Sequence, residues 1–265
     1  MIKKSFVVAL AVGLGIFAGC KTSRERTAIS APVPATTPAV PTAPGAAYTP
    51  ATRSSPTNWM SRHERFVEEA KRGGVDILFL GDSITDFWRN RGSNVWNQYY
   101  APRHAADFGI SGDRTQHVLW RIEHGELDGI RPKVTVLMIG TNNSGTDSPD
   151  DIAKAIGLIL ADIRTKMPET KVLLLGIFPR GPHPRATPAA DDSAKRMEVI
   201  HAVNDLIARY DDGGKTVKYL YFGDKFLGLD GKIPSEIMPD QLHPSEKGYR
   251  IWAEAMNPTL DELLQ

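Results

Sequence analysis

Five short apolar runs, separated by patterns typical of helices, are the feature that most restricts the fold of this 265-residue chain. The runs cover residues 75–80, 105–108, 134–139, 172–177 and 217–222, and each is bounded as a buried strand would be. Apolar residues at helical spacing fill the intervals over residues 115–123, 149–166, 189–210 and 244–264. Alternating strands and helices favour parallel pairing through crossover helices. The sequence therefore predicts an α/β fold, a three-layer α/β/α sandwich around a parallel five-stranded sheet.

Small and polar residues follow several of these runs. Ser83 comes shortly after the first run, Gly112 after the second and Asn142 after the third. A long irregular stretch after the fifth run reaches Asp240 and His243, just before the last helical pattern. In open parallel sheets, ligands bind outside the carboxyl ends of the strands. We therefore expect these five residues to lie on one rim of the sheet.

Together these residues offer the groups that acyl transfer requires. A serine hydroxyl is a weak nucleophile unless a base takes its proton, and His243 can act as that base for Ser83. Asp240 is three residues before His243 and can hold the imidazole in one tautomer. The backbone N–H groups of Ser83 and Gly112, with the Asn142 amide, can donate hydrogen bonds to an oxyanion. The combination predicts a catalytic site with Ser83, Asp240 and His243 as its reacting groups.

Each residue taken alone also has a structural interpretation. Ser83 could cap the helix that follows it, and Asp240 could form an Asx turn. Gly112 could be an ordinary turn glycine, Asn142 a cap, and His243 a residue that leads into the last helix. The catalytic hypothesis depends on the combination of all five in the right order.

The first twenty residues are typical of a bacterial export signal. Two lysines, Lys3 and Lys4, precede an apolar stretch that is short for a transmembrane helix. Ala18 and Gly19 come directly before Cys20, an arrangement that resembles a lipobox and predicts lipidation of that cysteine. An ordinary cleaved signal with an incidental cysteine is the alternative. We expect an exported protein of the cell envelope that is held at the membrane by a lipid anchor on Cys20.

Residues 21–57 are rich in Pro, Ala, Thr and Ser and have no hydrophobic period, so they predict a linker before a folded domain over residues 58–265. Such a linker could be a tether or simply a disordered leader.

The 32 basic and 31 acidic residues give a formal net charge of +1, and without a basic patch we expect no binding of nucleic acid. The chain has one cysteine, so it cannot form an internal disulfide. Its Cys and His residues do not show the spacing of a zinc site, so we expect no metal site.

Four sequence blocks resemble those of SGNH (GDSL) hydrolases. They are Gly81-Asp-Ser-Ile-Thr, Phe108-Gly-Ile-Ser-Gly-Asp-Arg-Thr, Gly140-Thr-Asn-Asn and Asp240-Gln-Leu-His-Pro. Within that family the chain is most similar to the catalytic subunits of intracellular platelet-activating-factor acetylhydrolase, over about residues 75–256. It departs from the family pattern at Ile84, Ser111 and Asn143, none of which is a reacting group.

The resemblance implies a flavodoxin-like fold, a triad of Ser83, His243 and Asp240, and an oxyanion hole from Ser83, Gly112 and Asn142. It also implies a serine esterase that needs no cofactor and hydrolyses short-chain esters, acetyl esters above all. Exported members of the class resemble carbohydrate deacetylases, so we expect a small-molecule or glycan ester as substrate. Two alternatives stay open at this point: an O-acyltransferase with the same triad, and a non-catalytic glycan-binding lipoprotein.

Overall fold

A computed structural model describes residues 45–53 and 57–265 of the chain. Its described part contains one sheet of five parallel strands in the order β2-β1-β3-β4-β5. The strands are β1 (Ile77–Gly81), β2 (Ala105–Gly109), β3 (Val134–Met138), β4 (Lys171–Leu175) and β5 (Val217–Leu220). Strand β1 pairs with β2 on one side and β3 on the other, so that Gly81 is in register with Gly109 and Met138. The loops that follow β1, β2 and β3 therefore start side by side.

Within the described residues, seven α-helices surround this sheet. They are α1 (Thr57–Arg72), α2 (Ser83–Asp86), α3 (Ser93–Tyr99), α4 (Thr115–Glu123), α5 (Pro149–Lys166), α6 (Ser193–Ile207) and α7 (Glu246–Leu263). Helix α2 is a single turn that continues into a 3-10 turn over Phe87–Arg89.

Alternate side chains of β1 separate the core into two layers, because successive residues of a strand point to opposite faces. Leu78 and Leu80 pack in the layer that contains apolar residues of α1, α4, α5 and α6. Ile77 and Phe79 pack in the other layer, with apolar residues of α3 and α7. Helices therefore cover both faces, and the predicted three-layer α/β/α sandwich is confirmed.

The predicted elements are present, but several boundaries differ by a few residues. Helix α6 is shorter than the 189–210 pattern, because Asp191 accepts a hydrogen bond from the Ser193 N–H at 2.9 Å and a 3-10 turn, Ala208–Tyr210, follows the helix. Helix α7 begins at Glu246, since the Ser245 hydroxyl accepts the N–H of Gly248 at 3.3 Å as an N-cap. The short helix α3 was not predicted.

Residues 45–53 differ from the predicted linker over 21–57, because they pack on the domain. Ala47 is fully buried, and its carbonyl accepts a hydrogen bond from the Thr115 hydroxyl at 2.7 Å. The Ala51 N–H donates to the carbonyl of Gln116 at 3.2 Å, and Lys154 lies over the ring of Tyr48. This packing uses one small buried side chain, one aromatic ring and backbone groups, which leave no hydrophobic period in the sequence. The folded part therefore begins before Asn58.

The predicted signal segment, residues 1–20 with Cys20, and residues 21–44 and 54–56 of the predicted linker lie outside the described residues. Among the residues that are described, no helix combines the length and the apolar character that crossing a bilayer requires.

Candidate active site

The end of β1 places Ser83 at the carboxyl rim of the sheet. A Cβ at Gly81 would come within 2.5 Å of the Met138 carbonyl oxygen, so only glycine allows β1 to lie this close to β3 here. Asp82 then turns the chain, because its carboxylate accepts the N–H of Ile84 at 2.9 Å as the N-cap of α2. Ser83 is the first residue of that turn. Its side chain is largely buried, with 6% of the residue exposed, at the carboxyl edge of the sheet.

The loop before α7 brings two further predicted residues to Ser83. The Ser83 Oγ lies 2.8 Å from Nε2 of His243, although the two residues are 160 positions apart in the chain. On the other side of the imidazole, Nδ1 of His243 lies 2.9 Å from Oδ2 of Asp240. The other oxygen of Asp240 accepts the backbone N–H of His243 at 2.7 Å. The structure thus joins the three predicted side chains in one chain of hydrogen bonds.

The charges around Asp240 favour its ionised form. Burial alone would raise the pKa of this carboxyl, but hydrogen bonds from the side chain and backbone of His243 outweigh burial and lower the pKa below its usual value. Arg91 adds to this effect, since its Nη1 lies 3.2 Å from Oδ2 of Asp240. The Arg91 guanidinium also lies over the ring of Phe87, which packs against the His243 ring at a centroid distance of 4.8 Å. Asp240 is therefore an anion beside the imidazole at neutral pH.

The loops after β2 and β3 carry the two other predicted donors. The Ile110 N–H donates to the Gly81 carbonyl at 3.2 Å, which ties the loop of Gly112 to the end of β1. Gly112 has a φ of +81°, a left-handed conformation that glycine adopts without strain. The Asn142 Nδ2 donates to the carbonyl of Asp113, the next residue after Gly112, at 2.8 Å. The structure therefore links Gly112 and Asn142 to each other on the rim that holds Ser83.

Asp86 supports this loop, and the sequence patterns did not single it out. Its Oδ2 accepts hydrogen bonds from the Ser111 hydroxyl at 2.6 Å and from the Ser111 N–H at 3.2 Å. Its Oδ1 accepts from Arg62 at 2.6 Å and from Arg89 at 3.0 Å. Asp86 lies one turn after Ser83, so a hydrophilic residue at i+3 of a buried turn is the signal that could have identified it.

Asp113, which directly follows Gly112 in the sequence, is a second buried acidic residue near the site. Its Oδ1 accepts the indole N–H of Trp59 at 2.7 Å, and Nε of Arg121 lies 3.0 Å from its Oδ2. Burial raises the pKa of Asp113 to about 6 even though the Arg121 charge opposes this rise. Burial likewise raises the pKa of Asp82 to about 7, against the hydrogen bond from the Ile84 N–H, and the nearby charge of Asp113 adds to the rise. Burial therefore favours the neutral form of both acidic side chains more than an exposed position would.

Metal ligands, one further histidine and one tryptophan complete the description of the site. Among residues 45–53 and 57–265, no three His, Cys, Asp or Glu side chains are grouped as metal ligands would be. His183, in the loop after β4, is exposed, and its Nδ1 accepts the Arg185 N–H of the same loop at 3.2 Å. Trp88 is fully buried and packs against Phe79 of β1, as expected of a core residue.

Comparison with known proteins identifies the group to which this geometry belongs. Residues 79–251 match the model of the GDSL-like lipase/acylhydrolase family. The chain is 36% identical over 206 residues to platelet-activating factor acetylhydrolase IB subunit alpha1 of Homo sapiens. The aligned region covers 78% of this chain and 84% of the relative. It is also 36% identical over 207 residues to the alpha2 subunit of Rattus norvegicus, with 78% and 85% of the two chains covered.

Solved structures share the fold at lower identity. A GDSL-like lipase from Bacteroides thetaiotaomicron is 18% identical and aligns with a TM-score of 0.58, covering 76% of this chain and 97% of its own. A member of the lipolytic G-D-S-L family from Veillonella parvula is 19% identical, with a TM-score of 0.52 and coverage of 70% and 97%. The predicted resemblance is confirmed by the match of the family model and by the identity to the acetylhydrolase subunits. The chain therefore belongs to the GDSL-like lipase/acylhydrolase family and is an ester hydrolase.

Proposed function

We propose that this ester hydrolase works through a triad in which Ser83 is the nucleophile, His243 the general base and Asp240 the residue that orients the base. The observation that carries the proposal is the continuous pair of hydrogen bonds, 2.8 Å from Ser83 to His243 and 2.9 Å from His243 to Asp240. In such an arrangement the base is within reach of the proton that it must remove, and its tautomer is held by the carboxylate.

The first half of the proposed reaction forms an acyl-enzyme. Ser83 Oγ attacks the ester carbonyl carbon while Nε2 of His243 takes the hydroxyl proton. The ionised Asp240 stabilises the imidazolium that results. When the tetrahedral intermediate collapses, the bond to the alkoxy group breaks, and His243 returns its proton to the leaving alcohol.

The second half releases the acyl group with water as the acceptor. His243 removes a proton from water, the hydroxide attacks the acyl carbon, and the bond to Ser83 Oγ breaks as the oxygen regains the proton. In both halves, the carbonyl oxygen becomes negative and needs donors. We assign these to the N–H groups of Ser83 and Gly112 and to Asn142. An Asn amide has two N–H groups, and one of them is engaged with the Asp113 carbonyl, so the other can serve the oxyanion.

We propose that the substrates are short-chain esters and in particular acetyl esters of small molecules or carbohydrates. The names of the relatives with 36% identity, which are acetylhydrolase subunits, support the acetyl group. An ester series of increasing acyl length with one alcohol tests this part of the proposal. The acetyl ester should have the highest kcat/KM, and a maximum at a long acyl chain would contradict it.

The triad is tested by Ser83→Ala. This substitution removes the nucleophile, so we expect turnover of para-nitrophenyl acetate to fall by about a thousandfold or more. Covalent labelling by a serine-directed fluorophosphonate should be lost at the same time. Ser235→Ala, at an exposed serine, is the matched control and should keep both signals. Normal turnover by the Ser83→Ala protein would remove Ser83 from the mechanism.

We further propose that the protein is exported and anchored in the cell envelope by a lipid on Cys20. The support is the sequence: the basic start, the apolar stretch and the small residues directly before the single cysteine. Metabolic labelling with a fatty acid should mark the wild-type chain but not Cys20→Ala, and the label should fractionate with membranes. Equal recovery of both proteins in the soluble fraction, without label, would contradict the anchor.

A further inference from the structure

A cavity of about 680 Å³ opens beside the proposed oxyanion hole, where Gly112 and Asn142 form part of its wall. Four arginines contribute to the rest of the lining: Arg53, Arg114, Arg180 and Arg196. They come from four different parts of the chain, namely the segment 45–53, the start of α4, the loop after β4 and the first half of α6. The cavity is thus a place where the tertiary structure concentrates positive charge next to the reacting groups.

Carboxylates balance only part of this charge. Nε of Arg196 lies 2.6 Å from Oδ2 of Asp192, and Nη1 of Arg114 lies 3.9 Å from Oδ2 of Asp147. In the part of the chain that the structure describes, neither Arg53 nor Arg180 has a carboxylate within ion-pair distance. Arg53 instead donates to the Ser111 carbonyl at 2.5 Å, and Arg180 donates to the carbonyl and hydroxyl of Thr141. Two of the four guanidinium groups therefore have no carboxylate within ion-pair distance among the described residues, and Asp113 and Asp82 interact with Arg53 and Arg180 only from farther away.

Two glycines make room for these guanidinium groups. A Cβ at Gly112 would come within 2.9 Å of the Arg53 guanidinium, and a Cβ at Gly145 within 2.4 Å of that of Arg196. The arginine side chains thus lie directly on backbone rather than extending into solvent. Arg196 is only 17% exposed, which places its charge in the wall of the cavity.

The titration of neighbouring groups agrees with a positive environment. Burial lowers the pKa of His117, another residue of the lining, to about 4, and the charges of Arg53 and Arg114 lower it further. Burial also lowers the pKa of Arg180 to about 10; the charge of Arg196 acts in the same direction, and the charges of Asp192 and Asp82 oppose it. Burial disfavours a charge of either sign, whereas the neighbouring arginine charges disfavour only a further positive charge and would attract an anion.

We propose that this cavity binds an anionic substituent, a carboxylate or a phosphate, on the alcohol part of the ester substrate. The inference rests on the proposed function. The cavity is as large as a typical binding site for a whole small molecule, whereas an acetyl group has only two carbons. We therefore assign the cavity to the alcohol part of the ester. Guanidinium groups pair with carboxylate and phosphate through parallel N–H donors, which gives both strength and orientation.

The experiment compares acetyl esters that differ only in charge. Acetate release is measured for acetylated methyl glucoside, for the corresponding methyl glucuronoside and for a phosphorylated glucoside. We expect kcat/KM to be about tenfold higher for at least one anionic ester than for the neutral one, as charge-assisted hydrogen bonds commonly provide. The two anionic esters distinguish a carboxylate from a phosphate as the group that is bound.

Variants then assign the preference to the cavity. Arg196→Gln should reduce the ratio of anionic to neutral kcat/KM by about tenfold, since it removes one guanidinium from the wall. Arg72→Gln is the matched control, because this exposed arginine ends α1 just before β1 begins, at the opposite edge of the sheet, and the ratio should not change. Higher ionic strength should lower the ratio for the wild type.

A separate measurement distinguishes failure of this inference from failure of the proposed function. In it, the binding of inorganic sulfate to the full chain is measured by calorimetry at low salt. Equal kcat/KM for neutral and anionic esters, with no sulfate binding, would overturn the anion site and leave the esterase intact. Absence of turnover and of fluorophosphonate labelling would overturn the proposed function. Sulfate binding that weakens in Arg196→Gln would, in that case, still support the anion site.

Discussion

At the scale of single residues, the site depends on side chains that hold the reacting groups. Arg91 is one of these side chains, because it contacts both Asp240 and His243. Its Nη1 lies 3.2 Å from the Asp240 carboxylate and 3.4 Å from the His243 carbonyl oxygen, and its guanidinium covers Phe87. In the proposed triad Arg91 would be a positioning residue, because it contacts Asp240 and the His243 backbone. Its side chain is 37% exposed, so solvent screens its charge and its influence should be moderate.

Arg91→Gln should lower kcat for para-nitrophenyl acetate by roughly fivefold to tenfold and change KM little, because the orientation of the carboxylate is lost but no substrate contact is removed. Arg103→Gln, in another exposed Arg–Asp pair with Asp261, should change neither kcat nor KM. An unchanged kcat with Arg91→Gln would remove it from this role.

At the scale of elements, the rim requires the ends of β1 and β2 to lie very close to the single turn of α2. The Cβ that Gly109 lacks would fall 2.2 Å from the backbone nitrogen of Asp86, and that of Gly81 would fall 2.3 Å from the Thr85 hydroxyl. Both glycines therefore permit the approach that sets the direction of α2 and, with it, the position of Ser83. Because α2 is only one turn long, its dipole contributes less to Ser83 than that of a longer helix would.

Gly109→Ala should force α2 away from β2, because the atom in its way is backbone that cannot rotate aside. We expect a loss of about 1–3 kcal/mol in the free energy of unfolding, as in other overpacked cores, and a larger relative loss of esterase activity. Urea unfolding and para-nitrophenyl acetate turnover measure the two effects. Gly228→Ala serves as the control, since its Cβ would meet a side-chain oxygen of Asp230 at 3.1 Å. Equal effects of the two substitutions would contradict the close approach.

At the scale of the whole molecule, the carboxyl rim contains buried acidic groups whose ionisation opposes folding. Burial raises the pKa of Asp82 to about 7 and that of Asp113 to about 6, and it raises the pKa of Asp107 well above its usual value. The unfolded chain loses these protons near pH 4. Between that pH and the folded-state values, the folded state binds more protons than the unfolded state. The contribution of these groups to stability is therefore greatest below about pH 4, and most of it is lost as the pH rises from about 4 to about 7.

Asp82→Asn should remove part of this dependence, because the amide stays neutral and its oxygen can still accept the N–H of Ile84. Between pH 5 and pH 8, we expect the wild type to lose roughly 2 kcal/mol more in the free energy of unfolding than the variant does. Chemical unfolding at the two pH values gives this difference. Asp205→Asn, at an exposed aspartate of α6, should show the wild-type dependence. A wild-type stability that increases from pH 5 to pH 8 would contradict the assignment.

Local patterns were sufficient to predict the layers of the fold and the residues of the rim. Runs such as 134–139 have the length and composition of buried strands, and β3 is found at Val134–Met138. Parallel strands all present their carboxyl ends to one edge, so Ser83, Gly112 and Asn142 had to share that edge once the alternation was recognised. The same patterns could not identify the packed segment 45–53, where Ala47 and backbone hydrogen bonds leave no periodic signal.

The amino-acid sequence by itself determined the α/β alternation, the order of the blocks around Ser83 and His243, and the family, because these depend on residue types and their spacing along the chain. Only the tertiary structure decided which remote groups meet: Arg91 with Asp240, Asp86 with the Ser111 loop, and four separated arginines around one cavity. The physical reason is that strand and helix periods arise from neighbouring residues, whereas contacts between loops depend on how the finished layers pack and carry no local pattern.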